Sequence, residues 1–297
     1  NQSFKNFEFI IIDNASIDET PLILEKYRLK DKRIKIITLS KTLSYVEGRY
    51  HGIKKCETEW FALMDADDIS MPDRLKREVD FINSTRIKKI GAIGTWGEYI
   101  NSKGKVLGNI KTGPTTIKEF DYLYKNNEAI VILDPSSLIN KKAFIETGGY
   151  RKNTFPPCDL DFWYRLSEKG YKILTIPENL IQYRVHLQSN SVRKTMLQRK
   201  IIHFVNYNMR LRRKNKMEIT KDDFEKFVWS NLLYKLPRKY NDFVMLFFKK
   251  AGLNFGNGNY LKTFSYLVLV FLMNPKYIFE KIYLQNYFTN KKVSKLP

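Results

Sequence analysis

The chain has 297 residues, with 52 Lys and Arg against 31 Asp and Glu, giving a formal net charge of +21. Hydrophobic residues make up 43% and charged residues 28%, a globular balance that excludes a disordered chain. Two cysteines, Cys56 and Cys158, are too few for a disulfide framework and point to the reducing cytosol.

The length suits one large α/β domain with an appended segment. The opening, Asn1 to Phe7, runs almost at once into the apolar stretch Phe7 to Ile12. This start leads us to expect that the first strand and helix of a larger domain are missing from the sequence. Phe7 to Ile12 reads as a parallel strand buried on both faces. Ser16 and Glu19 fit a capping box opening a helix of about a dozen residues. Ile34 to Leu39 is the next expected strand and Tyr45 to Cys56 the next helix. Trp60 to Met64 is a third strand, running directly into Asp65-Ala-Asp-Asp68. Pro72 stands where a first-turn proline belongs, before a helix to about Asn83. Lys89 to Thr95 makes a fourth strand. This alternation predicts a doubly wound, mostly parallel sheet flanked by helices, with both Asp clusters at strand carboxyl ends, where ligands collect.

Beyond it, Asn101-Ser-Lys-Gly104 resembles a hairpin turn. Gly148-Gly149-Tyr150 marks a loop, and Leu160 to Lys169 has helical spacing ending at Gly170. After Arg193 the pattern is amphipathic and helical, with breaks expected at Pro237, residues 252–258 and Pro275. We therefore divide the chain into a catalytic domain over 1–192 and a helical region over 193–297. Residues 193–297 carry 22 Lys and Arg against 6 Asp and Glu, so nearly all the excess charge lies there. Such a basic, aromatic-rich tail suits a polyanionic partner, or is simply a solvated basic face. No segment reaches the roughly 18 apolar residues of a spanning helix; the longest, Phe264 to Met273, reads as buried or interfacial.

Three carboxylates within Asp65-Ala-Asp-Asp68 repel one another unless a cation or donor hydrogens compensate. A divalent ion bridging a diphosphate would do so, with carboxylate, phosphate and water oxygens as hard ligands. A solvated turn or helix cap is the alternative.

The motifs Ile12-Asp13-Asn14-Ala-Ser16-Ile-Asp18-Glu-Thr20, Gly48-Arg49-Tyr-His-Gly52 and Leu63-Met-Asp65-Ala-Asp67-Asp68 resemble the core of the GT-A inverting glycosyltransferases of family 2. Cys158-Asp159-Leu-Asp161-Phe-Trp163-Tyr-Arg165-Leu166 and Tyr183-Arg184-Val-His186-Leu-Gln-Ser189-Asn-Ser191 resemble two later segments of that family. The resemblance covers residues 1–192 and implies a GT-A fold. It also implies that Asp13 and Asn14 hold the base and ribose of a nucleotide, with Arg49 near the donor. Asp65 would face the ribose, Asp67 would bind the metal, Mn2+ or Mg2+, and Asp68 would lie beside it. Asp159 matches the catalytic base, and His186 would reach the diphosphate or metal from a closing loop. Asn14 replaces the usual second Asp, Tyr50 the usual Asn, and Cys158 the Glu before the base. The family's opening strand is absent.

The implied reaction is transfer of a sugar, with inversion, from a nucleotide-diphosphate sugar (UDP-linked by expectation) to a hydroxyl of a glycan or lipid-linked acceptor. Synthesis of bacterial surface polysaccharide or glycolipid would place the chain in the cytoplasm, peripheral at the inner face of the cell membrane. Three alternatives stand beside this: a sugar nucleotidyltransferase, a catalytically impaired relative, and a non-enzymatic protein binding membrane or nucleic acid through the basic tail. Gly91 to Gly97 does not fit the phosphate-loop spacing a nucleotidyltransferase would want. No RNA-binding motif is found, so nucleic acid is not the expected partner.

Overall fold

The computed structural model describes residues 1–186 and 193–281. These form two compact units, Asn1–Ile100 with Val106–Arg184 and Ile201–Glu218, and Asn101–Lys105 with Val185–Lys200 and the chain from Ile219 onward.

In the first unit, β1 (Phe9–Asp13) and β2 (Ile34–Thr38) pair in parallel, with Asp13 opposite Thr38. The helix between them, α1 (Thr20–Lys30), follows Glu19 without a side-chain cap and buries no residue. The capping box expected at Ser16 and Glu19 does not form. Asp13 Oδ1 accepts the Ser16 N–H instead, which holds Ser16 in the turn after β1. A capping box does open α2 (Tyr45–Lys55), where Ser44 and Glu47 exchange bonds.

A second, six-stranded sheet has the order β3-β7-β5-β8-β4, with β6 also on β5. Its strands are β3 (Trp60–Ala62), β4 (Ile69–Ser70), β5 (Ile90–Ile100), β6 (Val106–Ile110), β7 (Leu138–Asn140) and β8 (Lys172–Arg184). The α/β architecture is as expected, but the expected predominance of parallel pairing is not. In this sheet only β5 and β8 run parallel; the β3–β7, β4–β8, β5–β6 and β5–β7 pairs are antiparallel. The hairpin at Asn101 and the short β7 supply the reversals. The glycines of β5 are packing residues. A Cβ at Gly97 would lie 2.6 Å from the Ile181 carbonyl oxygen, and one at Gly94 would lie 2.9 Å from Ile132.

Four helices complete this unit: α3 (Arg74–Ser84), α4 (Ile117–Lys125), α5 (Lys141–Glu146) and α6 (Cys158–Glu168), together with residues 201–212 of α7 (Thr195–Arg212). Nine of the eleven α6 residues are buried. Phe162 packs on Phe144 at 5.1 Å, Tyr150 at 5.2 Å and Trp163 at 4.9 Å between ring centres. Arg165 pairs with Asp161 at 2.9 Å and donates to the carbonyls of Thr147 and Gly149. These bonds fix α6 and the loop before it as one block.

In the second unit, α8 (Lys221–Asp223) runs into a π-helical turn, Phe224–Trp229, and then α9 (Leu232–Gly256) and α10 (Tyr260–Met273) form a hairpin. The helix break expected at Pro237 does not occur, since α9 continues through it. Pro237 falls in the second turn of α9, and Asn231 caps the start of the helix by accepting from Leu233 N and Tyr234 N. Gly258, at φ +78°, turns the chain between α9 and α10.

Beneath the Asp65–Asp68 loop lies a buried ion pair. Arg74 and Glu78, 1% and 0% exposed, meet at 3.0 Å, and Arg74 also reaches the Ser137 carbonyl and the Met64 sulfur. Burial pushes the Glu78 carboxyl up to about 7, with Arg74 acting against the rise. Glu78→Ala would leave the guanidinium buried and uncompensated, at an expected loss of about 3–5 kcal/mol in urea unfolding. Replacing both residues, as Arg74→Met with Glu78→Leu, should recover most of that loss. An equal loss in the single and double variants would contradict this role.

Candidate active site

The site is organised around Arg49 on α2. Its Nη2 donates to Asp65 Oδ1 at 2.7 Å and its Nη1 bonds Asp134 Oδ2. Tyr45, one turn earlier, lies under the guanidinium with its ring centre 4.3 Å away, and Tyr150 approaches at 5.8 Å. The Tyr150 hydroxyl donates to the other Asp134 oxygen at 3.0 Å. Burial alone would weaken the positive charge of Arg49. The neighbouring Asp134, with Tyr45, Tyr150 and Asp65, instead holds its pKa well above the usual value. One cation thus joins the loop after β3 to the 3-10 turn Asp134–Ser136.

Asp13 closes β1 and is buried. Its Oδ1 accepts from Ser16, whereas its Oδ2 is buried with no hydrogen-bond partner. Ala15, at φ +59°, makes the left-handed turn that brings Ser16 back to that carboxylate. The Asn14 amide donates to the Leu43 carbonyl at 3.0 Å and accepts from the Leu43 N–H at 2.8 Å. Asn14 therefore clamps the loop that enters α2.

In the Asp65–Asp68 loop the three carboxylates diverge. Asp65 turns to Arg49, and Asp68 is buried and accepts the Arg184 N–H at 2.8 Å. Burial pushes Asp68 up to about 7, Asp65 and Asp67 add to the rise, and the Arg184 N–H opposes it. Arg184 Nε also donates to the Asp67 carbonyl at 2.7 Å, so the end of β8 fixes this loop. Asp67 is exposed. Among the described residues no three His, Cys, Asp or Glu side chains converge on one metal position. An ion that keeps waters and takes one carboxylate plus substrate phosphate oxygens needs no such cage, and the exposed Asp67 fits that mode.

Asp159 sits in the first turn of α6, partly exposed. Burial raises its carboxyl to about 7, and the negative charge of Asp134 adds to the rise. Because the unfolded value is about 3.9, the stability this group contributes is full below pH ~4 and is lost as pH rises through ~7. Cys158, in the place of the family's Glu, is a buried thiol pushed up by burial and by the adjacent Asp159. Tyr50, the other departure, donates to the Gly148 carbonyl at 3.1 Å and so pins the loop that precedes α6. Gly149 is required there: its φ is +57°, and a Cβ would lie 2.0 Å from the Tyr50 hydroxyl.

The structure therefore brings Arg49, Asp65 and Asp159 into one electrostatic group, with Asp13 at the end of β1 and Asp67 in the loop after β3. His186 is partly exposed and belongs to the second unit. Ser189 and Ser191 of the same motif lie outside the described residues. Sequence reasoning missed Asp134, Tyr150 and the clamping role of Arg184. The one signal for Asp134 was an Asp-Pro pair directly after an apolar run.

Removing the Asp134 charge makes ionising Asp159 easier, so Asp134→Asn should lower the Asp159 pKa. Carbon-13 NMR titration of the Asp159 carboxyl should give a midpoint below the wild-type one, and an unchanged or higher midpoint would contradict the coupling.

Comparison with known proteins gives the family and the fold. The sequence profile described as "Glycosyl transferase family 2" matches residues 1–148. Over 194 residues the chain is 30% identical to the O-antigen biosynthesis glycosyltransferase WbnJ of Escherichia coli, covering 64% of this chain and 72% of that protein. It is also 26% identical, over 201 residues, to the Escherichia coli UDP-Glc:alpha-D-GlcNAc-diphosphoundecaprenol beta-1,3-glucosyltransferase WfaP, covering 65% of this chain and 72% of that one. Among solved structures, the mannosyltransferase PcManGT of Pyrobaculum calidifontis, in complex with GDP-Man and Mn2+, superposes with a TM-score of 0.53 at 12% identity. That match covers 93% of this chain and 80% of the other and supports the GT-A fold. The α/β scaffold and the sequence relatives agree, and the chain belongs to glycosyl transferase family 2.

Proposed function

We propose that this glycosyltransferase moves a sugar from a UDP-linked donor to an acceptor hydroxyl in a single displacement with inversion. The observation that carries the reading is Asp159: a partly exposed carboxylate, raised toward neutral pH, beside a buried Arg–Asp network. A general base works best with a pKa near the operating pH, and this position meets that need. Asp159 would accept the acceptor hydroxyl proton as that oxygen attacks the anomeric carbon.

The buried, unpartnered Asp13 Oδ2 suits a ring N–H of the base, which uracil supplies. Asp65, held by Arg49, would accept from a ribose hydroxyl. Asp67 would hold Mn2+ or Mg2+, whose charge would offset the negative charge growing on the nucleoside diphosphate. The Mn2+ in the Pyrobaculum neighbour supports a divalent ion. The diphosphoundecaprenol acceptor in the name of WfaP, and the role of WbnJ in O-antigen synthesis, support a lipid-linked glycan acceptor in surface polysaccharide synthesis. Such an acceptor, with the basic tail, supports a location at the inner face of the cell membrane. A catalytically impaired relative is less well supported, because Cys158 leaves Asp159 in place in the first turn of α6.

Two substitutions test this reading. Asp67→Asn should remove most of the Mn2+-dependent part of UDP binding in calorimetry without changing the fold; equal affinity with and without EDTA in the wild type would contradict the metal role. Asp159→Asn should lower sugar transfer by roughly 10²-fold or more while UDP binding persists. Full transfer in that variant would refute Asp159 as base and make Asp161 the next residue to test.

A further inference from the structure

The second unit carries an apolar surface that its own packing does not use. In α10 only Thr263 and Val270 are buried. Leu261, Phe264, Val268 and Leu272 recur at intervals of three and four on its outer side, with Leu261 87%, Phe264 69% and Leu272 73% exposed. On α9, Leu232, Leu236, Tyr240 and Phe243 form a similar exposed stripe. The helices are tied together by the Tyr240 hydroxyl on the Met273 carbonyl and by Phe247 stacked on Tyr266 at 6.1 Å. The stripes therefore belong to one hairpin.

Charge supplies the identity of what covers this surface. Between Leu232 and Met273 there are six basic residues and one acid, Asp242, which is buried against Arg199 at 2.7 Å. All exposed charge on the hairpin is thus positive. No helix of the described residues is long and apolar enough to cross a membrane. At one flank of the α9 stripe, a cavity of about 430 Å³ is lined by Met196, Leu197 and Trp229 together with Lys200, Lys235, Lys239 and Asp242, whose charge is answered by Arg199. Lys200 is paired with Glu225 at 2.8 Å, whereas Lys235 and Lys239, one turn apart, make no ion pair among the described residues. An apolar wall with two unpaired ammonium groups suits an amphiphile with an anionic head.

We propose that the α9–α10 hairpin lies in the plane of an anionic lipid bilayer, its leucines and phenylalanines in the headgroup boundary and Lys235 and Lys239 on a lipid phosphate. In-plane amphipathic helices bind through buried apolar area plus attraction to anionic lipid, which are the two features present. This deepens the peripheral location proposed above, and it is read out without any sugar transfer, so it can fail or hold independently of the catalytic assignment.

The test is sedimentation of the full chain with vesicles of phosphatidylcholine, alone or mixed with phosphatidylglycerol. Binding should require phosphatidylglycerol and weaken with added salt. Leu261→Ser with Phe264→Ser and Leu272→Ser, all on the outer face, should reduce binding at least about tenfold with helix content by circular dichroism unchanged. Lys235→Gln with Lys239→Gln should reduce it by about tenfold or more, in line with the usual contribution of near-surface basic residues. A wild-type chain that stays in the supernatant at low salt overturns the proposal, as does equal binding by either variant. So does a dimer, seen in analytical ultracentrifugation of the vesicle-free chain, that the serine variant dissolves; the hairpin would then pack on a second copy. Salt-sensitive binding to RNA without binding to vesicles overturns it too.

Discussion

The arrangement of the active site depends on one buried cation with two carboxylates. A guanidinium with 12% of its side chain exposed is tolerated only if its charge is answered and its donors are used. Arg49 meets both conditions by holding Asp65 with one nitrogen and Asp134 with another, between the faces of Tyr45 and Tyr150. Planarity matters here, because a forked donor can fix two acceptors from different segments and a lysine cannot. Two loops that are 69 residues apart in sequence, counted from Asp65 to Asp134, are thereby set at a fixed separation.

The electrostatic consequence reaches beyond that bond. Asp134 satisfies Arg49 but still adds negative potential at Asp159, where α6 begins. Helix N-termini favour carboxylates, and the Leu160 backbone N–H does oppose the rise at Asp159. Burial and Asp134 outweigh it. The same contest is settled the same way at Asp68, where the Arg184 N–H fails to offset burial and two acidic neighbours. A site that keeps carboxyls near the neutral range stores part of the folding free energy as reactivity, and the buried Arg74–Glu78 and Arg165–Asp161 pairs, with the aromatic packing of α6, are what hold it in place.

Much of this was legible in the sequence, and for identifiable reasons. The strands β1 and β2, helix α2 and the Asp cluster follow from local signals: runs of Ile, helical spacing over Tyr45 to Cys56 and charge crowding at a strand end, whereas the capping pair read at Ser16 and Glu19 forms instead at Ser44 and Glu47. The hairpin at Asn101 and the end of α6 at Gly170 were equally local. The sheet topology was not, because Leu138–Asn140 is only three residues long and its antiparallel pairing with β3 and β5 is set by tertiary contacts. Pro237 read as a helix break, but it sits in the second turn of α9, downstream of the Asn231 cap. The role of Asp134 was invisible because its meaning comes from Arg49, 85 positions earlier. Asn14 and Tyr50 stood out in the sequence only as departures from the family pattern, and the structure gives both of them loop-fixing bonds.

The central claim is that Asp159 serves as base in one direct displacement, in a site that Arg49 assembles. The stereochemistry of the product reports on it most directly. Proton NMR of the first-formed glycoside, from a nucleotide donor with an α-linked sugar, should show the β anomer. A product that keeps the α configuration would contradict the account, since it requires a second displacement or front-side attack for which Asp159 has no role as base.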